Sequence, residues 1–421
     1  MRGPEFIRKR ATALLGRYGL TPSVAMRRLE SCVATLSECG CAPTLPTPGR
    51  VVQRYPQFLR QLQNMGAEIA VHGYDHVELA AYRPIEARQQ LLRAVEVFRQ
   101  HGIEAFGFRC PYLSWTEELL AELPKGMFDY SSNAAIRWDV TPATSAHSAA
   151  VGSEVLRRLY RPASALDTVC VPWTRPNMVE IPVCVPDDLE LHDSLQLRPE
   201  GVAQAWIQIL HRTFQRGELF HLLFHPELAD RHRLPFMAVL EEARSLQPRI
   251  WMARLREISD WWREKSAFGV AASRTPTGLL ISFTCSERAT VLIKGLNACQ
   301  SEYAWDGAYY QLRTRALHVP AEPRPFVGLS EDVPERMASF LREQDYILDT
   351  GDTAKTCATY IDAATLARQS SAVELVHHIE ASSGPLVRYW RWPDGAKSAM
   401  CVSGDLDAIT VLDYAARLFV R

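Results

Sequence analysis

Two histidines four positions apart, His72 and His76, bound the segment His72-Gly73-Tyr74-Asp75-His76, which directly follows the apolar run Glu68–Val71. On one helical turn that spacing puts both imidazoles on the same side, within reach of one ion. Such a pair is also common on ordinary surfaces, so a metal reading needs a third ligand. Far along the chain the apolar run Ser398–Val402 leads into Ser403-Gly404-Asp405-Leu406-Asp407. Alternate strand positions face opposite ways, but Gly404 permits a turn that lets both acids share a cavity. One would complete a His-His-Asp face with coordination positions left open, and the other would stay unligated as a base. The competing reading is a solvated loop in which Asp407 caps the helix that follows.

Phe108-Arg109-Cys110-Pro111-Tyr112 again follows an apolar run, Ala105–Phe108. A guanidinium beside a carboxylate orients it and lowers its pKa, and the Tyr112 N–H could face a developing oxyanion. His225, between the run Leu219–Phe224 and Pro226, has the placement of a general acid or of a core histidine bonded to backbone. His221, inside that run, reads as structural. Asp187-Asp188 reads as a solvated loop in preference to a segment that touches substrate or supports the site residues, Trp261-Trp262 as helix packing, and the adjacent His377-His378 as surface.

The elements that must position these residues follow from periodicity. Helices are expected over Ser23–Cys39, Tyr55–Met65, Pro84–His101, Thr116–Leu123, Pro199–Arg216, Arg233–Leu246 and Trp251–Lys265. Between them, Ala42–Pro46, Glu68–Val71, Ala105–Phe108, Val179–Val183 and Leu219–Phe224 read as buried strands. Strands alternating with helices imply a mostly parallel sheet or barrel, with its site at the C-terminal strand ends. After Lys265 the pattern changes to a small antiparallel β unit, then a short α/β stretch, before the strand Ser398–Val402 and a helix over 411–421. A strand ending in two acids, then a helix, is how an α/β barrel opens, which makes a circular permutation the economical explanation.

The chain has 421 residues, 47% of them apolar and 23% charged, with 47 basic against 48 acidic residues. That balance gives no sign of a nucleic-acid or anionic-membrane partner. No apolar stretch reaches the roughly 20 residues that cross a bilayer, and Met1–Arg10 has no signal-peptide core. The ten cysteines are scattered, as free thiols of a reducing compartment would be, so cytoplasm is the expectation.

Together the motifs resemble the polysaccharide deacetylases, the NodB-homology group also called carbohydrate esterase family 4. His72/His76 looks like the family's second motif, Arg109-Cys110-Pro111-Tyr112 its third and Leu223-Phe224-His225 its fifth. Trp392-Pro393-Asp394-Gly395 with Ser398–Asp407 is similar to the first motif and its lead-in, which normally open the domain. The likeness covers about residues 20–262 and 388–421. It implies a distorted, circularly permuted (β/α) barrel of NodB type with a smaller inserted accessory region. Residues 1–264 would form the main part of the barrel, 265–386 the β-rich then α/β accessory region, and 387–421 the first strand and helix.

The resemblance further implies Asp407, His72 and His76 as metal ligands and Asp405 as the general base, oriented by Arg109. The Tyr112 N–H would help to stabilise the oxyanion, and His225 would protonate the leaving amine. The metal expected is zinc, with cobalt, nickel or manganese able to use the same ligands. The reaction expected is removal of an N-acetyl or other N-acyl group from an amino sugar or related small amide, with no nucleic acid or membrane as partner and a homo-oligomer left open. Two departures stand out: Leu406 separates aspartates that are usually adjacent, as in a subgroup of intracellular peptidoglycan-deacetylase relatives and allantoinase-like proteins, and Gly73 replaces the usual Ser or Thr. The alternatives are therefore an allantoinase-like or cyclic-imide hydrolase on the same site, or a non-catalytic sugar-binding relative.

Overall fold

In the computed structural model, residues 17–140, 158, 160–296 and 302–416 are described. The main sheet contains β1 (Thr44–Thr47), β2 (Glu68–Val71), β3 (Gly107–Phe108), β4 (Tyr130–Ser131), β5 (Ala135–Arg137) and β6 (Ala163–Ser164). It continues with β7 (Trp173–Thr174), β8 (Val179–Glu180), β9 (Val183–Val185), β10 (Leu219–Phe224), β11 (Ile250–Met252) and, much later, β22 (Ser398–Gly404). Their order is β6-β5-β9-β10-β22-β1-β2-β3-β4-β8-β7, with β11 also paired to β22. All pairs are parallel except β7 with β8.

This sheet is rolled into a distorted (β/α) barrel. β8 and β9 lie near opposite ends of the strand order, yet only Ile181 and Pro182 separate them in sequence. The three steps from Glu180 to Val183 span at most about 11 Å, so the ends of the sheet must meet there. The expected single strand Val179–Val183 is corrected accordingly: Pro182 offers no N–H, and the chain changes partners from β4 to β5 and β10. Helices α1 (Pro22–Glu38), α2 (Pro56–Asn64), α3 (Pro84–Gln100), α4 (Pro199–Arg216), α5 (Ala229–Ser245) and α6 (Leu255–Lys265) accompany the strands. The helix expected from Trp251 begins only at Leu255, because Ile250–Met252 is drawn into the sheet beside Ser398–Met400. A short apolar run is ambiguous between the two states until its partner is known.

β22 lies inside the sheet with all seven residues buried, paired to β10 over Leu219–Phe224 and to β1 at Thr44. The segment after it, α9 (Val411–Ala416), returns to the start of the described chain, where Val411 N–H donates to Gly19 O at 3.0 Å and Tyr414 packs on Tyr18. The remainder of the helix expected over 411–421 lies outside the described residues.

Between α6 and β22 stand three smaller sheets. β12 (Gly269–Thr275), β13 (Gly278–Thr284) and β17 (Ala316–Val319) are antiparallel, as are β14 (Val291–Lys294), β15 (Glu302–Asp306), β16 (Tyr309–Leu312) and β21 (Leu386–Tyr389). β18 (Arg324–Leu329), β19 (Leu348–Thr350) and β20 (Cys357–Ile361) are parallel, with α7 (Glu335–Glu343) and α8 (Ala372–Ala381) among them. One apolar cluster runs from the barrel, through Leu219, Trp261, Trp262 and Trp392, into Val327, Leu341 and Ile379 of this region. Trp261 and Trp262 are 1% and 2% exposed, so they pack and offer no sugar platform.

Candidate metal centre

His72 follows β2, Arg109 follows β3, Asp187-Asp188 follow β9, His225 follows β10 and Asp405 follows β22. In a parallel sheet these are neighbouring C-terminal strand ends, so residues 333 positions apart in sequence can face one cavity.

His72 and His76 meet, with ring centroids 5.0 Å apart, but not on a helical turn as their spacing predicts. The chain makes a bend with Gly73 at φ +75°, where an added Cβ would lie 2.9 Å from Asp75 O. Arg50 donates to Asp75 at 2.5 Å and holds the bend from outside. The position at which Ser or Thr was expected therefore requires glycine, for conformation and space.

Asp407 Oδ1 stands 3.0 Å from His76 Nε2 and 3.6 Å from His72 Nε2. The turn that brings it there is not made by a left-handed Gly404; Asp407 N–H donates to Asp405 O at 3.0 Å, and Leu406 N–H to Pro46 O at 2.9 Å. Gly404 is needed for room, since a Cβ there would lie 2.7 Å from the Phe224 ring. Asp407 does not cap α9, whose first turn is held by Thr410 and Asp413.

His72 Nδ1 lies 2.9 Å from Arg109 O, which fixes the proton on Nδ1 and aims the Nε2 lone pair into the cavity. Among the described residues, Nε2 is buried with no hydrogen-bond partner. Two donors each about 2 Å from a tetrahedral ion stand roughly 3.3 Å apart, and the 3.0 and 3.6 Å separations bracket that value. The three residues therefore fit a divalent ion. Burial opposes the Asp407 charge, but His76 and His72 more than offset it and hold the carboxyl well below its ordinary range.

A second acidic cluster, Asp187, Asp188 and His225, is equally compact but chemically different. Its carboxylates already accept protein hydrogen bonds: Asp187 from Tyr160 Oη (2.8 Å) and Glu190 N–H (2.8 Å), and Asp188 from His225 N–H (2.8 Å), His225 Nδ1 (2.7 Å) and His232 Nε2 (2.9 Å). It is a hydrogen-bonded brace. The solvated loop expected here is corrected: both aspartates are buried, because the loop after β9 turns inward beneath His225. Burial disfavours charge on His225, yet the adjoining Asp188 carboxylate outweighs it and pushes the imidazolium up to about 10. With Nδ1 committed to Asp188, Nε2 is the nitrogen left to exchange a proton.

Arg109 is fully buried and bonded throughout. Nη1 donates to Asp405 Oδ1 (2.6 Å) and Ser403 Oγ (2.9 Å), Nη2 to Ser132 Oγ (2.8 Å) and His221 Nε2 (3.2 Å), and Nε to Ser132 O (2.9 Å). Asp405 is thus clamped with Oδ2 3.9 Å from His72 Nε2. His221 is structural as expected, donating from Nδ1 to Pro182 O. Tyr112, at φ +61°, puts its ring edge-on to His76 at 4.6 Å.

The sequence reading set Asp188 aside as a surface loop and missed His232 and the loop Ser131–Ala134 that braces Arg109. Glu180, fully buried, holds that loop by accepting from Ser131 Oγ (2.5 Å), Asn133 N–H (2.6 Å) and Ala134 N–H (2.8 Å), and Asn133 Oδ1 in turn accepts from Cys110 N–H (2.6 Å). Asp187-Asp188 carried a usable signal, because they too follow a short apolar run at a strand end. His232, Ser132 and Glu180 carried none.

Residues 27–129 match the family model for polysaccharide deacetylase, an interval containing His72, His76, Arg109 and Tyr112. A chitooligosaccharide deacetylase from Bradyrhizobium sp. (strain ANU 289) is 30% identical over 96 residues, covering 22% of this chain and 42% of that relative. The chain thus matches less than half the length of this curated relative. Among solved structures, a Mycobacterium smegmatis protein assigned as a polysaccharide deacetylase is 22% identical, with a TM-score of 0.43 over 60% of this chain and 82% of that one. PuuE allantoinase is 15% identical, with a TM-score of 0.42 over 57% and 72%. The match to the polysaccharide deacetylase family thus covers the segments that hold His72, His76 and Arg109-Cys110-Pro111-Tyr112.

Proposed function

We propose that the protein is a metal-dependent deacetylase that removes an N-acetyl group from an amino sugar or a related small amide. The observation that carries this is the meeting of Asp405 and Asp407 with His72 and His76, with the buried His72 Nε2 lacking a hydrogen-bond partner among the described residues. Zinc is the ion that two imidazoles and one carboxylate suit best. When bound, such an ion polarises the amide carbonyl and makes water acidic near neutral pH.

This chain's own residues supply the rest. Asp405, fixed by Arg109, accepts the proton of the attacking water. The loop at Tyr112 lies against His76 and brings its backbone N–H toward the carbonyl oxygen as charge develops there. His225 delivers the proton from Nε2 to the departing amine, Asp188 holding the ring by Nδ1. We read residues 1–264 and 387–421 as one catalytic domain, with 265–386 inserted, and the order of its motifs as a circular permutation. The seating of β22 between β10 and β1 supports both. The nine cysteines among the described residues are unbridged, in keeping with a cytoplasmic location, and no described helix is long and apolar enough to cross a membrane.

Metal analysis combined with acetate release from a panel of N-acetylated sugars tests the reading. We expect about one ion per chain, and an Asp405→Asn variant that keeps the ion but loses turnover. Turnover retained by Asp405→Asn, or no release from any sugar, would refute it. The spacing by Leu406 favours one rival, hydrolysis of a ureide or cyclic imide at the same centre, and including those compounds in the panel decides between them.

A further inference from the structure

Asp188 serves two imidazoles: Oδ1 takes His225 Nδ1, while Oδ2 takes the His225 backbone N–H and His232 Nε2. His232 is fully buried in α5, its ring 5.6 Å from Trp206 and 5.8 Å from Phe236. Its Nδ1 has no hydrogen-bond partner among the described residues. A polar nitrogen left unpaired in an aromatic pocket is costly. Phenylalanine would fill that pocket without the cost, so packing does not account for a histidine here. The one contact that does is the donation to Asp188.

We propose that His232 is a positioning residue for the leaving-group acid: by donating to Asp188 it draws charge from that carboxylate and sets how readily His225 releases its proton. This rests on the deacetylase reading above. An acid transfers its proton best when its affinity lies near the working pH, and Asp188 pulls His225 far above it. A second donor on the same carboxylate weakens that pull. The other charged or titratable groups facing the pair are Asp187 beside Asp188, Tyr160 bound to Asp187, Glu227 and Asp407 near His225, Arg17 bound to Glu227, and His192 with its ring 5.2 Å from His232. None of these donates to Asp188.

The test compares His232→Phe, which keeps an aromatic ring but removes the donor, with His232→Gln, which restores an N–H. His225 is titrated by NMR in the histidine-labelled holoenzyme, and kcat and KM are measured against pH. In His232→Phe we expect the proton affinity of His225 to rise about tenfold, the loss of one charge-assisted hydrogen bond. The alkaline limb of kcat should move up with it, kcat should fall several-fold and KM should stay unchanged. His232→Gln should return all three toward wild type. A folded His232→Phe whose His225 midpoint and alkaline limb do not move overturns the proposal, even if activity falls. Should His232→Phe not fold, His232→Met against His232→Gln makes the same comparison. Absence of turnover in the wild type would sink the deacetylase reading separately, while the NMR midpoint still decides for or against His232.

Discussion

Replacing Asp188 by asparagine should cost the fold several kcal/mol in a way that depends on pH. In the folded chain His225 keeps its proton up to about 10, against 6.5 for an ordinary imidazole. A folded affinity raised above the unfolded one stabilises fully below the unfolded value of 6.5, and the gain fades as pH rises through 10. At pH 7 the difference corresponds to about 4 kcal/mol, in line with the ~3–5 kcal/mol lost when one partner of a buried pair is removed. Asparagine preserves the shape but turns an N–H toward a nitrogen that carries one, and the charge is gone. Urea unfolding of wild type and Asp188→Asn should be compared from pH 6 to 10.5 on chelated protein, so that no ion adds its own field. We expect a gap of about 3–5 kcal/mol at pH 6–7 that narrows steadily from about pH 6.5 upward and is nearly gone by pH 10. Turnover at pH 7 should fall by about 10²–10⁴-fold, the usual share of a general acid. A gap under about 1 kcal/mol that stays flat across this range would refute the reasoning.

Other perturbations test the scaffold of the site. Gly73→Ala forces a side chain into a left-handed bend against Asp75 O; we expect a loss of about 1–2 kcal/mol in denaturation and weaker metal affinity by calorimetric titration. Glu180→Gln removes the charge that gathers Ser131, Asn133 and Ala134. It should lower kcat by loosening Arg109 while leaving metal content unchanged, as acetate release and metal analysis will show.

Much of this was legible in the sequence. The strands Glu68–Val71 and Leu219–Phe224 and the helix Pro199–Arg216 have the predicted bounds, because continuous apolar runs and a proline start leave little choice. The parallel architecture then told which runs to watch: His72, Arg109, His225 and Asp405 are all strand-end residues. What failed was local geometry. Spacing alone could not separate a helical turn from the glycine bend at His72–His76, nor show that Gly404 serves space and not turning. Asp187-Asp188 looked like a surface loop because acids usually are one; only the inward return of the chain after β9 buries them. His232 and Glu180 act through residues distant in sequence, and no pattern along the chain announces such partners. The accessory sheets were visible as a change of texture, but four of their strands, β12, β15, β18 and β21, escaped notice, since each is defined by the partner strand it pairs with.

The most direct test is the metal content of purified wild-type protein beside that of Asp407→Ala. If the separated ends of the chain build one centre, the wild type binds about one divalent ion per chain and the variant binds it at least tenfold more weakly, with His72 and His76 left alone. Equal binding by the two proteins, or none by the wild type when zinc is supplied, would contradict the account.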